Sequence, residues 1–466
     1  MIRILISVDE ETRIALIEDG ALIEFFIERP WMKDIVGNIY KGKVERVLPG
    51  MGAAFINIGI GKNGFLPLKD VDGKLRVGDE VIVQVAREGK DLKGPRLTVK
   101  VSLPGHYVLL LPGSNRVGVS RRISKPSERK RLKELLKKSL PPSFGAVART
   151  VAGGEDERVI LGDLSELLSL WGEIMEKFYA SPAPSLLYSE PPLIEKVLRD
   201  WFSPEVEEIC SDSLEALSEV KRILGKWGKG EPEVKFLYHN FETISLFEAY
   251  GVEDELNKLL LRRVPLSCGG EIVIDRAEAL TVIDVNTSSF VGGENFEKTA
   301  LTTNIEAARE IARQLRLRGI GGIVIIDFID MRNEKSKEIL IKELASELKK
   351  DKREVEICSF SPLGLLELTR EREGPDLIER LGMTCPYCSG RGWVLSEDTL
   401  LMDIKRRLKK FLMLGEDRVL EIRVNPAFKA FLDRVKLEWE EAYSKRIEII
   451  EDATLSFDAF KIKTKI

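Results

Sequence analysis

Two short apolar runs, Leu280 to Ile283 and Ile323 to Ile326, each end in an aspartate, Asp284 and Asp327. This repetition constrains the chain more than any other feature. Both runs are continuous and rich in β-branched residues, which suits strands buried on both faces. Between them, Ile305 to Arg318 carries Ile305, Ala308, Ile311, Ala312 and Leu315 at the spacing of one helix face, and Gly319 stands where a helix C-cap is expected. Read as strand, helix, strand, the crossover makes the two strands parallel, so both aspartates emerge at the carboxyl-end edge where open α/β sheets place their ligands. Period-two alternation adds Asn286 to the face of Asp284. Two carboxylates held close repel unless a cation or a shared proton intervenes, and Asp, Asp and Asn are hard oxygen ligands of the kind magnesium accepts. Capping of helices or turns is the competing use of a strand-end aspartate. Two such ends joined by one helix favour the shared metal site.

The 466 residues are 44% hydrophobic, enough for two to four domains. No apolar stretch approaches the ~20 residues of a membrane span, and the N-terminus, MIRILISVDEETR, reaches acidic residues before a signal-peptide core could form. The expectation is a cytoplasmic, soluble protein with no membrane partner. Lysine plus arginine number 72 against 76 acidic residues, so any basic surface is local. The only histidines, His106 and His239, stand in unrelated contexts, which argues against a histidine-pair acid–base mechanism and turns the chemistry towards carboxylates and metal.

Residues 1–34 alternate in strand fashion but are too few to fold alone, so they must pack against later sequence. From Gly37 to about Leu103, five short strand-like segments separated by Gly, Pro and Asn turns suit an OB-type barrel. The turn at Gly59 to Asn63 would set Phe55 opposite Phe65, two faces on which bases can stack, with Lys93 and Arg96 near in sequence; core filling is the ordinary use of a phenylalanine. Further on, SRRISKPSERKRLKELLKK ends in an amphipathic helix with a solvated face. Arg149 and Thr150 follow an apolar strand, and a guanidinium beside a hydroxyl and backbone amides can hold a terminal phosphate. Prolines 182, 184, 191 and 192 mark a connector. Residues 332–351 form a surface helix, and Arg370 and Arg372, read as helical and near a surface, receive no role. Residues 395–466 form a small α/β tail: a basic helix (405–410), a strand (419–424), a helix (426–437) and a final lysine-rich strand.

A second chemical motif is CPYCSGRG. Cys385 and Cys388 make half of a tetrahedral zinc site, and the glycines let backbone amides turn towards sulfur. Cys210, Cys268 and Cys358 are scattered singly, so a closed site needs the same motif from a second chain: a zinc-linked homodimer with its two-fold axis through the metal. The competing redox reading of CPYC requires a strand before the motif and a helix after it.

ALTVIDVN, TTNIEAAREIARQLRLRGIGGIVIIDFIDM and CPYCSGRG closely resemble the ribonuclease E/G family of bacterial endoribonucleases. The resemblance implies a multidomain α/β fold: an RNase H-like structural subdomain (1–34 plus 195–259) with an inserted OB-type RNA-binding domain (35–103) and a 5′-sensor region (104–194). A DNase I-like catalytic domain (260–384), a zinc-link (385–394) and a small C-terminal domain (395–466) follow. By the same resemblance, Asp284 and Asp327 bind the catalytic magnesium and Asn286 assists. Phe55, Phe65 and Lys93 contact RNA, Arg149 and Thr150 sense a 5′-monophosphate, and Cys385 and Cys388 share zinc across a homodimer that could pair into a tetramer. A family aromatic is replaced by Ile58, which predicts a smaller stacking platform. No long disordered scaffold follows Ile466, so the G branch of the family is expected rather than the E branch. The implied function is magnesium-dependent endonucleolytic cleavage of single-stranded RNA in rRNA and tRNA processing and mRNA decay, leaving 5′-phosphate and 3′-hydroxyl ends and stimulated by 5′-monophosphate. A non-catalytic RNA scaffold with structural zinc, and a magnesium-dependent phosphatase or DNA nuclease on the same fold, are the alternatives.

Overall fold

The computed structural model describes residues 1–32, 34–89, 93–227, 234–240, 243–287, 296–372, 374–412 and 419–465. Residues 288–295, within the central stretch, lie outside them. The chain divides into two units, Met1–Leu377 and Ile378–Ile466.

In the first unit the N-terminal strands Ile2–Val8, Thr12–Glu18 and Ala21–Glu28 form an antiparallel meander. Their missing partner comes from far along the chain: Ile2–Val8 pairs in parallel with Val206–Ser211, Ile4 opposite Ile209, and Lys235–Tyr238 completes the sheet. Ile4, Ile6, Ile14 and Leu16 pack with Leu198, Phe202, Val220 and Leu224 in one core, so these strands gain the burial that a short segment cannot supply for itself.

Glu24, on the third strand, is 6% exposed and stands 3.7 Å from Arg316, whose Nε also donates to the Ile23 carbonyl at 3.1 Å. Burial pushes its carboxyl from 4.5 up to about 7, against the opposing pull of Arg316 and Arg353. A group with a raised folded pKa contributes its stability fully below the unfolded value and loses it as pH rises through the folded one. Glu24→Gln is therefore expected to flatten the stability curve between about pH 5 and 8, wild type losing ~3 kcal/mol relative to the variant at 1.36 kcal/mol per unit. Urea melts across that range check this; parallel curves for the two proteins would refute it.

The strands Ile39–Leu48, Ala53–Asn57, Gly64–Pro67, Arg96–Thr98 and Glu80–Arg87 close on themselves, because the first pairs with the last. This five-stranded barrel is filled by Val44, Ala54, Ile56, Leu66, Val83, Val85 and Leu97. Gly94 is required where the chain passes close against Asn63: a Cβ there would stand 1.8 Å from the Asn63 carbonyl oxygen. The proline connector is not all loop. Its Ser185–Tyr188 segment adds a sixth strand to the end of Ile39–Leu48.

A four-stranded sheet follows, ordered Val117–Val119, Phe144–Ala148, Val108–Pro112, Leu103–Pro104. It packs against the helices Pro126–Ser139 and Glu157–Ala180 through Leu132, Leu136, Ile160 and Leu164.

The largest core belongs to a six-stranded mixed sheet ordered Arg263–Pro265, Glu271–Arg276, Leu280–Asn286, Gly322–Asp327, Leu366–Arg370, Val355–Phe360. The crossover from Leu280–Asn286 to Gly322–Asp327 is the helix Phe296–Leu317, and these two strands are parallel as the sequence predicts. Gly319 takes the left-handed conformation, φ +67°, just beyond that helix. One expectation is corrected: the two strands are buried on a single face. Ile283, Val285, Val324 and Ile326 pack under Ala308, Ile311, Leu315, Leu340 and Leu344, whereas Val282 and Ile323 are 37% and 48% exposed. Both covering helices, Phe296–Leu317 and Glu334–Leu348, join that one core. A continuous β-branched run fits a half-covered strand as well as a covered one, so composition alone could not decide.

In the second unit the sheet runs Ile447–Glu451, Val419–Val424, Phe460–Lys465. Leu420, Ile422 and Val424 pack it on the helices Glu397–Leu412 and Pro426–Tyr443, which contribute Ile404 and Phe428 to the same core. The strand Ile447–Glu451 is additional to the elements expected from sequence. Among the described residues no helix is long and apolar enough to cross a membrane.

Candidate active site

The parallel register sets Asp284 opposite Asp327 at the last pair of the ladder, one step beyond Ile283 and Ile326. Neighbouring strands lie about 4.8 Å apart, so this register places the two aspartates side by side on adjacent strands. Both are exposed on the uncovered face, because alternation has turned Ile283, Val285 and Ile326 into the core. Asn286, two residues on, donates from Nδ2 to Asp284 Oδ2 at 2.8 Å. Desolvation raises the Asp327 carboxyl above its ordinary value, and the negative charges of Asp284 and Asp330 push it further the same way. That repulsion is what a divalent cation relieves. Among the described residues no group of three or more His, Cys, Asp or Glu could form a complete metal cage. Two carboxylates with an amide suit magnesium, which keeps several waters and binds substrate phosphate in the rest of its shell.

On the barrel, Phe55 and Phe65 are cross-strand partners with ring centroids 6.1 Å apart at 80°. Lys93 stands three residues before the strand Arg96–Thr98 beside them: Phe65 N–H donates to Pro95 O at 2.8 Å, and Arg96 pairs with Phe65. Register also sets Arg46 opposite Phe55 and Arg87 opposite Arg96, both exposed. Sequence reading missed Arg46 and Arg87, since a bulge between Val44 and Arg46 decides which residues share a face. Ile58 is 2% exposed in the barrel core, so it lies inside rather than at the rim of the platform.

Arg149 is less free than a bare phosphate fork. Its N–H donates to Tyr107 O at 2.8 Å, Nη1 to Gly105 O at 2.5 Å and Nη2 to Asp200 at 2.7 Å. Burial alone would raise the Asp200 carboxyl, but Arg199 and Arg149 more than offset it and hold it low. Thr150 is exposed and shares a 2.9 Å hydrogen bond with Ser120. Next to Ser120, Arg121 reaches Glu354 at 3.0 Å and Arg122 donates to the Asp351 carbonyl, while Lys352 donates to the Asp200 carbonyl and lies 3.3 Å from the Trp201 ring centre. Arg121 and Arg122 open the basic stretch noted in the sequence, whereas Lys352, from far along the chain, carried no local signal and was missed.

Arg370 and Arg372 are not helical. Arg370 ends the strand Leu366–Arg370 and is 2% exposed, bonded to Asp351 at 2.7 Å and Ile320 O at 2.8 Å. It is a buried strut. Arg372 is exposed and donates to Gly321 O at 2.8 Å.

In the second unit Cys385 and Cys388 lie in a turn with neither strand before nor helix after within residues 382–396, which removes the redox reading. The backbone N–H of Gly392 is the main cause that holds the Cys388 thiol below its usual range, with Gly390, Cys385 and Arg391 adding to it against desolvation. Arg391 anchors the turn on Asp458 at 2.6 and 2.7 Å, and Tyr387 stacks on Phe457 at 5.0 Å. Two thiols inside a cluster of amides suit zinc, and the described residues of this chain offer no third ligand at the site.

A closed barrel with an aromatic and basic face, in one chain with a paired-carboxylate sheet edge, defines a multidomain α/β protein built on a nucleic-acid-binding module; residues 33–100 match the S1 RNA binding domain. Residues 102–373 match the Ribonuclease E/G family. Similar proteins include ribonuclease G of Haemophilus influenzae, 37% identical over 442 residues covering 91% of this chain and 90% of that protein. Ribonuclease G of Escherichia coli K12 is 38% identical over 419 residues, 85% of each chain. Ribonuclease E of Nostoc sp. is 40% identical over 372 residues, 77% of this chain and 54% of that longer protein. The chain belongs to the ribonuclease E/G family.

Proposed function

We propose that this protein is a magnesium-dependent endoribonuclease that cleaves single-stranded RNA. The observation that carries the reading is the register of Asp284 against Asp327, with Asn286 bonded to the first, in a chain whose relatives are named ribonucleases. Asp284 and Asp327 would hold the ion, and Asn286 would orient the first carboxylate and a water. A bound magnesium supplies Lewis acidity, lowering the pKa of a bound water and neutralising charge on the phosphate. Phe55 and Phe65 would stack bases while Lys93, Arg46 and Arg96 follow the backbone, giving salt-dependent affinity with little base readout. Arg149, relayed by Asp200, and Thr150 would recognise a 5′-phosphate. We read the sheet headed by Ile2–Val8 as RNase H-like and structural, the six-stranded sheet as a DNase I-like catalytic domain, and Cys385 with Cys388 as half of a zinc site shared in a homodimer. A cytoplasmic role in RNA processing and decay fits this reading.

The test is cleavage of an unstructured RNA and of DNA of the same sequence, with and without magnesium. RNA is expected to be cut only with the metal, leaving 5′-phosphate and 3′-hydroxyl ends, and faster with a 5′-monophosphate than a 5′-hydroxyl. A 2′,3′-cyclic phosphate product, or equal cutting without magnesium, would refute the mechanism.

A further inference from the structure

Asn304 lies in the interior of the helix Phe296–Leu317 and is 0% exposed. A buried amide is costly unless bonded, and asparagine is a poor interior helix residue. Both ends of this amide are spent on one residue: Nδ2 donates to Ile329 O at 2.8 Å and Oδ1 accepts from Ile329 N–H at 3.0 Å. Ile329 is two residues beyond Asp327. Two turns earlier on the same helix, Glu297 accepts from the N–H groups of Arg332 and Asn333 at 3.0 and 3.2 Å. The segment that carries the chain away from Asp327 is thus gripped at two rungs by the crossover helix. An apolar side chain would fill the Asn304 site but could not fix the backbone direction there.

We propose that Asn304 is a positioning residue for Asp327, with Glu297 as the second rung. Together they hold the segment 328–333 so that the Asp327 carboxylate stays level with Asp284 for a divalent cation, an inference that rests on the metal-site reading above. Asn304 touches neither metal nor substrate; it acts through the Ile329 backbone.

The test uses the full chain and manganese as the probe, with free Mn²⁺ read by electron paramagnetic resonance, alongside RNA cleavage. Asn304→Leu is expected to weaken Mn²⁺ binding about tenfold and lower kcat by about the same factor, as outer-shell changes do, with KM for RNA unchanged. Glu297→Ala, at a partly exposed position that leaves the core intact, is expected to move both in the same direction by about threefold. Asn304→Asp keeps the acceptor for Ile329 N–H but sets a carboxylate against the Ile329 carbonyl. Its kcat relative to wild type should recover as pH falls and the buried carboxyl regains a proton to donate. Thermal melts at the same pH values separate this from folding: a kcat recovery that only follows the folded fraction would mean packing alone and overturn the positioning role. Wild-type Mn²⁺ affinity and kcat in Asn304→Asp and Glu297→Ala would overturn the proposal even if Asn304→Leu fails to fold. Loss of Mn²⁺ binding in Asp327→Asn, with no loss in these variants, would remove the inference and leave the metal site standing. Unchanged binding in Asp327→Asn would remove the metal site itself.

Discussion

Asp284→Asn and Asp327→Asn are each expected to lower kcat for RNA cleavage about a thousandfold or more, while the protein still folds and still binds RNA. A thousandfold is ~4 kcal/mol of transition-state stabilisation at 1.36 kcal/mol per decade, within the several kcal/mol a bound metal supplies. The fold should survive because both carboxylates are exposed on the open sheet face and neither joins the core beneath it. In metal-free protein the change should even relieve the Asp284–Asp327 repulsion, which adds to desolvation in raising the Asp327 carboxyl. Binding should survive because the aromatic pair Phe55 and Phe65 stands on a different sheet. The complementary variant Phe55→Ala should show the reverse split, with KM rising about tenfold for a lost base stack and kcat kept. Single-turnover cleavage with filter binding distinguishes the two. An Asp284→Asn protein retaining more than about a tenth of wild-type kcat would mean that the carboxylate pair is not the catalytic centre.

On the proposal of a shared zinc, replacing both Cys385 and Cys388 with serine is expected to remove the metal and leave monomers where the wild type forms a homodimer. Structural zinc sites are worth on the order of 10 kcal/mol of apparent binding free energy, so a two-chain site that loses its thiolates has little left to hold it. The turn itself should persist, since Arg391 still bonds Asp458 and Tyr387 still stacks on Phe457. Metal analysis should give one zinc per two wild-type chains and none in the variant, and sedimentation should report the change of mass. A dimer that persists without zinc, or one zinc per single chain, would sink the shared-site reading.

Much of the six-stranded sheet that carries Asp284 and Asp327 is readable in advance because its signals are local. The β-branched runs, the helical spacing from Ile305 to Leu315 and the left-handed Gly319 report on backbone geometry within a few residues, and they lead to the parallel ladder with Asp284 facing Asp327. The opposition of Phe55 and Phe65 is legible for the same reason, a short turn between two strands. Burial is less legible. The exposure of Val282 and Ile323 depends on which face two helices cover, and the buried Arg370 reads as part of a surface helix because RERE is polar and nothing nearby reveals its partner Asp351.

Sequence alone determined the chemistry that the chain can offer: two carboxylates at strand ends, an amide beside one of them, two thiols with glycines, and a five-strand barrel. Those follow from residue type and from periodicities of two and 3.6, which act over neighbours in the chain. Only the tertiary structure decided how Asn304 and Glu297 fasten the segment after Asp327, why Arg149 leans on Asp200, and which arginines flank the phenylalanines. The physical reason is that a hydrogen bond between residues 25 or 51 positions apart is set by packing and register, which no local preference of the chain encodes.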